Sequence, residues 1–406
     1  MSNKEGAIMP FNHYELATPI LKTLESVGYE HPTKIQHLVI PHALKKNDII
    51  GTAQTGTGKT AAFALPIIHH LLNQHQLSKK TPPRALILTP TRELALQVKE
   101  SFDDYSRRTQ VKTLAVYGGM PKRNQIIKLK RGVNVLVATP GRLLDLMSMN
   151  IIDLSSIEHL VLDEFDQMLD MGFIDDVSKI IDKMPKNRHT MLFSATLPKP
   201  ILKLAQPFLN NAVRLETAPQ NTPLETITHK GFILHKESKP ELLKETLKAH
   251  PSSSTLVFVR TKQGCNHLVH YLLKQGIYAE ALHGDKPQRL RQKTLLAFKN
   301  KELKVLIATD VASRGLDIEA LPLVINYDLP ESPEVYLHRI GRTARAGLKG
   351  EAYSFCGLEE TRQLKRIQEH IKITIPIDHH HAYNVRQQEK PFKKRSRRRK
   401  RTFKQA

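Results

Sequence analysis

Ala53-Gln54-Thr55-Gly56-Thr57-Gly58-Lys59-Thr60 decides how the rest of this 406-residue chain is read. The stretch follows an apolar, strand-like run at Asp48-Ile49-Ile50 and opens a helix-like one at Ala61-Ala62-Phe63-Ala64-Leu65. Strand, glycine-rich turn, Lys, Thr and helix make the phosphate-cradling P-loop arrangement. Its glycines let backbone N–H groups close around an anion, and the helix N-terminus adds the positive end of its dipole. In such a loop Lys59 reaches the β- and γ-phosphates, and the Thr60 hydroxyl takes one position on Mg²⁺. The strict pattern has Gly where Ala53 stands, so the short string alone also fits a glycine-rich turn that binds nothing.

Leu160-Val161-Leu162 is a buried-strand run that ends in Asp163-Glu164-Phe165-Asp166. Beside a P-loop, an acidic pair at a strand's carboxyl end suits Mg²⁺ and an attacking water. Asp163 is expected to bind the metal, and Glu164 to orient and deprotonate the water.

The 62 Lys and Arg against 39 Asp and Glu leave a net charge of +23. That excess points to a polyanionic partner, nucleic acid before a membrane surface. No apolar stretch approaches the roughly 18 residues of a transmembrane helix, and no secretory signal is visible at the N-terminus. Cys265 and Cys356 lie far apart without metal-ligand spacing. They read as small apolar residues of a reducing cytoplasm.

Short apolar runs alternate with helical patterns along most of the chain. Strands are expected at 85–89, 133–139, 160–163 and 190–194, then at 255–259, 279–283, 305–309 and 323–327. Continuous apolar runs of this kind mark strands buried on both faces of a parallel sheet, with ligands at their carboxyl ends. The expected organisation is two related doubly wound α/β domains, 1–215 and 226–375, joined by a polar, Pro-containing linker at 216–225. Only the first carries a phosphate loop. A basic tail spans 376–406. Its last 21 residues, 386–406, hold 11 Lys or Arg and one acidic residue, Glu389. Such a block repels itself and buries no core, so it is expected to be disordered.

With these motifs in order, the chain from about Phe11 to Leu364 resembles the DEAD-box RNA helicases of superfamily 2. The resemblance implies two RecA-like domains and an ATP- and Mg²⁺-dependent enzyme. Phe11 and Gly28-Tyr29-Glu30-His31-Pro32-Thr33-Lys34-Ile35-Gln36 resemble the family's adenine-reading segment. A Gln36 amide suits adenine N6 and N7, an aromatic ring stacks on the base, and Thr33 caps a helix start. Pro90-Thr91-Arg92-Glu93-Leu94, Gly118-Gly119 and Thr139-Pro140-Gly141-Arg142 match RNA-backbone segments, which implies Thr91, Arg92, Gly119, Thr139 and Arg142 as phosphate contacts. Ser194-Ala195-Thr196 matches the segment that couples ATP state to strand separation. The resemblance implies that its hydroxyls bond Asp166 and arginine-bearing segments across a cleft.

In the second half, Arg260, Gly284 and the string Ala308-Thr309-Asp310-Val311-Ala312-Ser313-Arg314-Gly315-Leu316-Asp317 resemble further motifs. By that resemblance Thr309 and Arg314 face RNA, while Gly315 and Asp317 face the nucleotide. His338-Arg339-Ile340-Gly341-Arg342-Thr343-Ala344-Arg345 is the most specific match. It implies coupling roles for His338 and Arg339, and arginine fingers at Arg342 and Arg345. Three residues apart, the two fingers are expected on one helical face.

Two residues depart from the family. Phe165 replaces Ala in the acidic motif, with a ring expected beside the interdomain cleft, where it would alter coupling. Ala344 stands where Gly is common. Gly172-Phe173-Ile174-Asp175-Asp176, Val116-Tyr117-Gly118-Gly119 and the basic tail resemble the bacterial RhlE-type group most. An ATP-dependent RNA clamp with negligible turnover and a DNA translocase are the rival classes, separated by rates and by RNA against DNA stimulation. The RNA target and the oligomeric state are not encoded in these motifs.

Overall fold

The structure is a computed structural model, and it describes residues 9–53, 56–73, 81–217, 226–313, 318, 320–344 and 349–384. The chain divides into two compact units. Each is built on a parallel sheet.

In the first unit the strands are β1 (Ile49–Thr52), β2 (Ala85–Leu88), β3 (Thr113–Val116), β4 (Val135–Ala138), β5 (His159–Leu162), β6 (His189–Ser194) and β7 (Val213–Glu216). They lie in the order β3-β4-β2-β5-β6-β1-β7, each neighbouring pair parallel. The central strands read Ala-Leu-Ile-Leu, Val-Leu-Val-Ala and His-Leu-Val-Leu, buried throughout because helices cover both faces. Alternate residues go to opposite faces. Ile87, Val135, Val137, Val161 and Phe193 join one core, and Leu86, Leu88, Leu136, Leu160 and Leu192 join the other.

The second unit contains β8 (Ile227–Leu234), β9 (Thr255–Phe258), β10 (Ala279–Leu282), β11 (Val305–Ala308), β12 (Leu323–Asn326) and β13 (Gly350–Gly357). Their order is β10-β11-β9-β12-β13-β8, again all parallel. Two cores flank this sheet as well.

The tail expected from residue 376 begins later. Ile377 bridges to Gly231, Asn384 bridges to Leu234, and Asn384 is buried. The apolar Ile375 and Ile377 give this segment a surface to bury, which composition averaged over the whole tail conceals. The basic block at 386–406 and most of the expected linker, 218–225, lie outside the described residues.

No helix among the described residues is long and apolar enough to cross a membrane.

Candidate nucleotide and RNA site

Strand order divides the carboxyl edge of the first sheet in two. The P-loop follows β1, the acidic motif follows β5, and Ser194-Ala195-Thr196 closes β6, the strand between them. On the other side, Thr91 and Arg92 follow β2, Gly119 follows β3, and Thr139 and Arg142 follow β4. Nucleotide motifs occupy one half of the edge and RNA motifs the other.

Gly56 and Gly58 take φ of +81° and +89°, a left-handed backbone that glycine enters without strain. Gly58 caps the helix Lys59–Leu72. Lys59 is buried, and its Nζ donates to the Ala53 carbonyl at 3.0 Å. Thr60 is half-buried on the first turn, and Thr57 belongs to the same loop. Gln54 and Thr55 lie outside the described residues. Thr33 caps the helix Lys34–Leu44 through a capping box with Gln36. The Gln36 amide, expected to read adenine, here accepts from Thr33 N–H at 2.9 Å and donates to the Gly58 carbonyl at 3.1 Å. A Cβ at Gly58 would fall 2.4 Å from Gln36 Nε2, so only glycine admits this contact. Phe11 is buried in the first core, its ring 6.4 Å from that of Tyr14.

Asp163 is buried, with Oδ1 accepting the Glu164 N–H at 3.0 Å. Burial raises its pKa, and the Lys59 charge opposes that rise. A buried carboxylate beside a hydroxyl-bearing helix start is a donor set suited to a hard, oxygen-preferring cation. Glu164 is buried in left-handed backbone, φ +53° and ψ +51°. Such strain at a non-glycine residue marks a position held by its surroundings. The turn also aims Phe165 inward. Rather than lining a cleft, Phe165 is wholly buried in the first unit's core, its ring edge-on to Phe208 at 6.3 Å.

Asp166 Oδ2 accepts the backbone N–H groups of Ala195 and Thr196 at 3.1 and 3.0 Å, and the Thr196 hydroxyl at 3.3 Å. The link between the two motifs is thus mostly backbone. Ser194, expected to contribute its hydroxyl to Asp166, donates instead to the Thr196 carbonyl at 2.6 Å.

Thr91 caps the helix Arg92–Tyr105 by accepting the Leu94 N–H at 3.3 Å. The Arg92 guanidinium lies against the Gly118-Gly119 turn, where a Cβ at Gly119 would meet Nη1 at 2.0 Å. Arg142 donates to the Met120 carbonyl at 3.1 Å and pairs with Asp145 at 3.6 Å. Both arginines therefore brace the same loop. Thr139 is buried just before the helix Pro140–Ser148.

In the second unit, His283-Gly284, Thr309 and Arg260 follow β10, β11 and β9, three adjacent strands. Gly284 is exposed and Thr309 buried. The Arg260 guanidinium reaches Glu360 at 2.9 Å, and Glu360 also takes Lys239 at 2.9 Å. Arg339, expected to take part in coupling, is buried. Its side chain is 2 % exposed and bonds Asp310 with two nitrogens at 2.6 and 2.8 Å. It also donates to Asn326 Oδ1 at 3.0 Å and stacks over Phe258 at 4.9 Å. His338 is half-buried on the same helix. That helix, Pro333–Ile340, stops at Gly341, so buried Arg342 lies in a turn beyond it rather than on a helical face. Leu321 N–H bonds the Arg342 carbonyl at 3.0 Å and fixes the turn. Arg314, Gly315, Asp317 and Arg345 lie outside the described residues.

Residues 33–204 match the DEAD/DEAH box helicase family, and residues 238–347 match the helicase conserved C-terminal domain. The RNA helicase RhpA of Helicobacter pylori is 42% identical over 90% of this chain and 73% of its own length. The chain belongs to the DEAD-box family. The RNA helicase DbpA of Bacillus subtilis is 43% identical to this DEAD-box protein, over 90% of the chain and 75% of the relative. S. cerevisiae Dbp5, solved bound to RNA and ADP BeF3, superposes with a TM-score of 0.81 at 32% identity, covering 91% of this chain and 95% of that one.

Several supporting residues of this DEAD-box protein escape motif reading. Asp310, Asn326 and Glu360 hold Arg339 and Arg260 from distant points in the sequence. Their local signal is an acid or amide at the carboxyl end of a strand or shortly after it: Asn326 ends β12, Asp310 follows β11 and Glu360 follows β13.

Proposed function

We propose that this protein is an RNA-stimulated ATPase that opens short RNA duplexes and remodels RNA–protein complexes. One observation carries the reading: Lys59, Thr60, Asp163, Glu164 and Ser194–Thr196 converge on the carboxyl ends of three adjacent strands, β1, β6 and β5. Lys59 and the loop N–H groups would hold the β- and γ-phosphates of ATP. Thr60 and Asp163 would hold Mg²⁺, which supplies charge neutralisation on the phosphates. Glu164 would take the proton of the attacking water, and Arg342 and Arg345 would offset charge on the γ-phosphate. Thr91, Arg92, Gly119, Thr139 and Arg142, with Arg260, Gly284, Thr309 and Arg314 from the second domain, would take the RNA backbone. Gln36 and Phe11 favour adenine, while Gly315 and Asp317 complete the nucleotide side. Asp166, through Ser194-Ala195-Thr196, would transmit nucleotide state, with His338 contributing to coupling.

The reading rests on domain limits of 1–215 and 226–375, cytoplasmic action, and a basic tail that adds sequence-independent RNA affinity. RhpA and DbpA, similar throughout the core, are named RNA helicases. The RhlE-type placement rests on Gly172–Asp176, Val116–Gly119 and the tail.

Steady-state ATPase without nucleic acid, with RNA and with matched single-stranded DNA tests the proposal. Strong stimulation by RNA alone is expected. Equal stimulation by DNA would favour a translocase, and negligible turnover despite ATP binding would favour a clamp.

A further inference from the structure

The opposite, amino-terminal edge of the first sheet carries a constellation that ATP hydrolysis does not use. His159 opens β5, His189 opens β6, and the two are register partners. His70 stands in the last turn of the helix Lys59–Leu72. All three are buried, and one ring nitrogen from each lies within 4.8 Å of the others.

Two features separate this cluster from histidines that merely fill space. His159 Nδ1 and His189 Nδ1 are 3.2 Å apart. Two nitrogens on a tetrahedral ion, with bonds of about 2.0–2.1 Å, sit about 3.3 Å apart. His70 directs Nε2–H to the Leu44 carbonyl at 3.0 Å, which leaves the Nδ1 lone pair facing away without a hydrogen-bond partner. An imidazole oriented by a backbone carbonyl is the usual support of a metal ligand.

We propose that His70, His159 and His189 bind one divalent transition-metal ion of the zinc class. Imidazole suits Zn²⁺, Co²⁺, Ni²⁺ and Cu²⁺, and three protein ligands leave a fourth position for water. Burial favours the neutral rings that ligation needs. Among neighbouring charges, Lys46 and Arg84 oppose a cation and Glu158 favours one. The ion would pin the far ends of one helix and two strands. The near end of that helix carries Lys59, and the near end of β5 leads into Asp163.

The test is titration of chelator-stripped, full-length protein with Co²⁺ and then Zn²⁺, reading visible absorption and the metal retained after gel filtration. One ion per chain is expected, with the intense bands of a low-coordinate Co²⁺ site that Zn²⁺ bleaches. Uptake should fall from one ion to none in His159→Gln and in His70→Gln, and should persist when His379 and His380 are both replaced by Ala. His70→Gln changes the helix end rather than a strand, so it keeps the test valid if His159→Gln does not fold. It should also retain RNA-stimulated ATPase. Absence of stoichiometric uptake, uptake that survives both cluster variants, or uptake abolished by the His379 and His380 substitutions alone would overturn the proposal.

Discussion

The two sheets present helicase motifs at the same edge but hold them by different means. In the first, the reactive groups are set by backbone: left-handed glycines at 56 and 58, a left-handed Glu164, and the N–H groups of Ala195 and Thr196 on Asp166. In the second, they are set by buried ion pairs, chiefly Arg339 with Asp310 and Lys239 with Glu360. Backbone devices fix a position at little desolvation cost. Buried pairs hold only while both partners remain, because a lone buried charge costs several kcal/mol. The first arrangement should therefore fail in chemistry and the second in stability.

The sharpest test of that contrast is Glu164→Gln. Turnover should fall by about 10²–10⁴-fold while ATP and RNA binding persist and the melting temperature barely moves. Wild-type turnover in this variant would remove Glu164 as the base. Next, Arg339→Met should destabilise the second domain by about 3–5 kcal/mol, since half-buried Asp310 loses the guanidinium that neutralises it. Joint replacement of Arg339 and Asp310 by apolar residues should recover much of that loss in chemical denaturation. If the single variant is neutral, the second sheet does not depend on the pair. Phe165→Ala should cost a comparable 3–5 kcal/mol, roughly, through the cavity it leaves, with RNA-stimulated ATPase preserved at low temperature. A selective loss of unwinding in a stable Phe165→Ala protein would restore a coupling role. Smaller still, Ala344→Gly should gain about 1 kcal/mol, because Ala344 sits at φ +52°; thermal melts read this directly. The smallest free-energy change concerns the tail. Deleting 386–406 should flatten the fall of log RNA affinity with log salt by about 0.7 per lost phosphate contact on a single strand.

Much of this arrangement is legible in the sequence, for a physical reason. Strands such as Ala85–Leu88 and Val305–Ala308 are buried on both faces, so each is a bare apolar run, and the motif residues follow directly at its end. Of the strands that escape reading, β3 is a short apolar run, Thr-Leu-Ala-Val, and the others lack that signature. β7 is Val-Arg-Leu-Glu with two exposed positions, and β8 carries exposed Thr228 amid alternating burial. β13, Gly-Glu-Ala-Tyr-Ser-Phe-Cys-Gly, is small and polar in composition yet buried, because β8 and β12 flank it. A spacing argument misplaces Arg342, since a helix that stops at Gly341 carries no periodicity past it. Phe165 shows the same limit: its destination depends on the backbone sign of the residue before it, which no side-chain pattern reports.

Glu164 carries one more consequence. Glycine would occupy its left-handed backbone more comfortably than glutamate does, so the residue that abolishes the proposed base is also the one that relaxes the turn. A search for hardier variants that scores survival at high temperature alone would be drawn toward inert protein at this position. Screens on this scaffold would need turnover as a second criterion, because here endurance and catalysis pull the same codon in opposite directions.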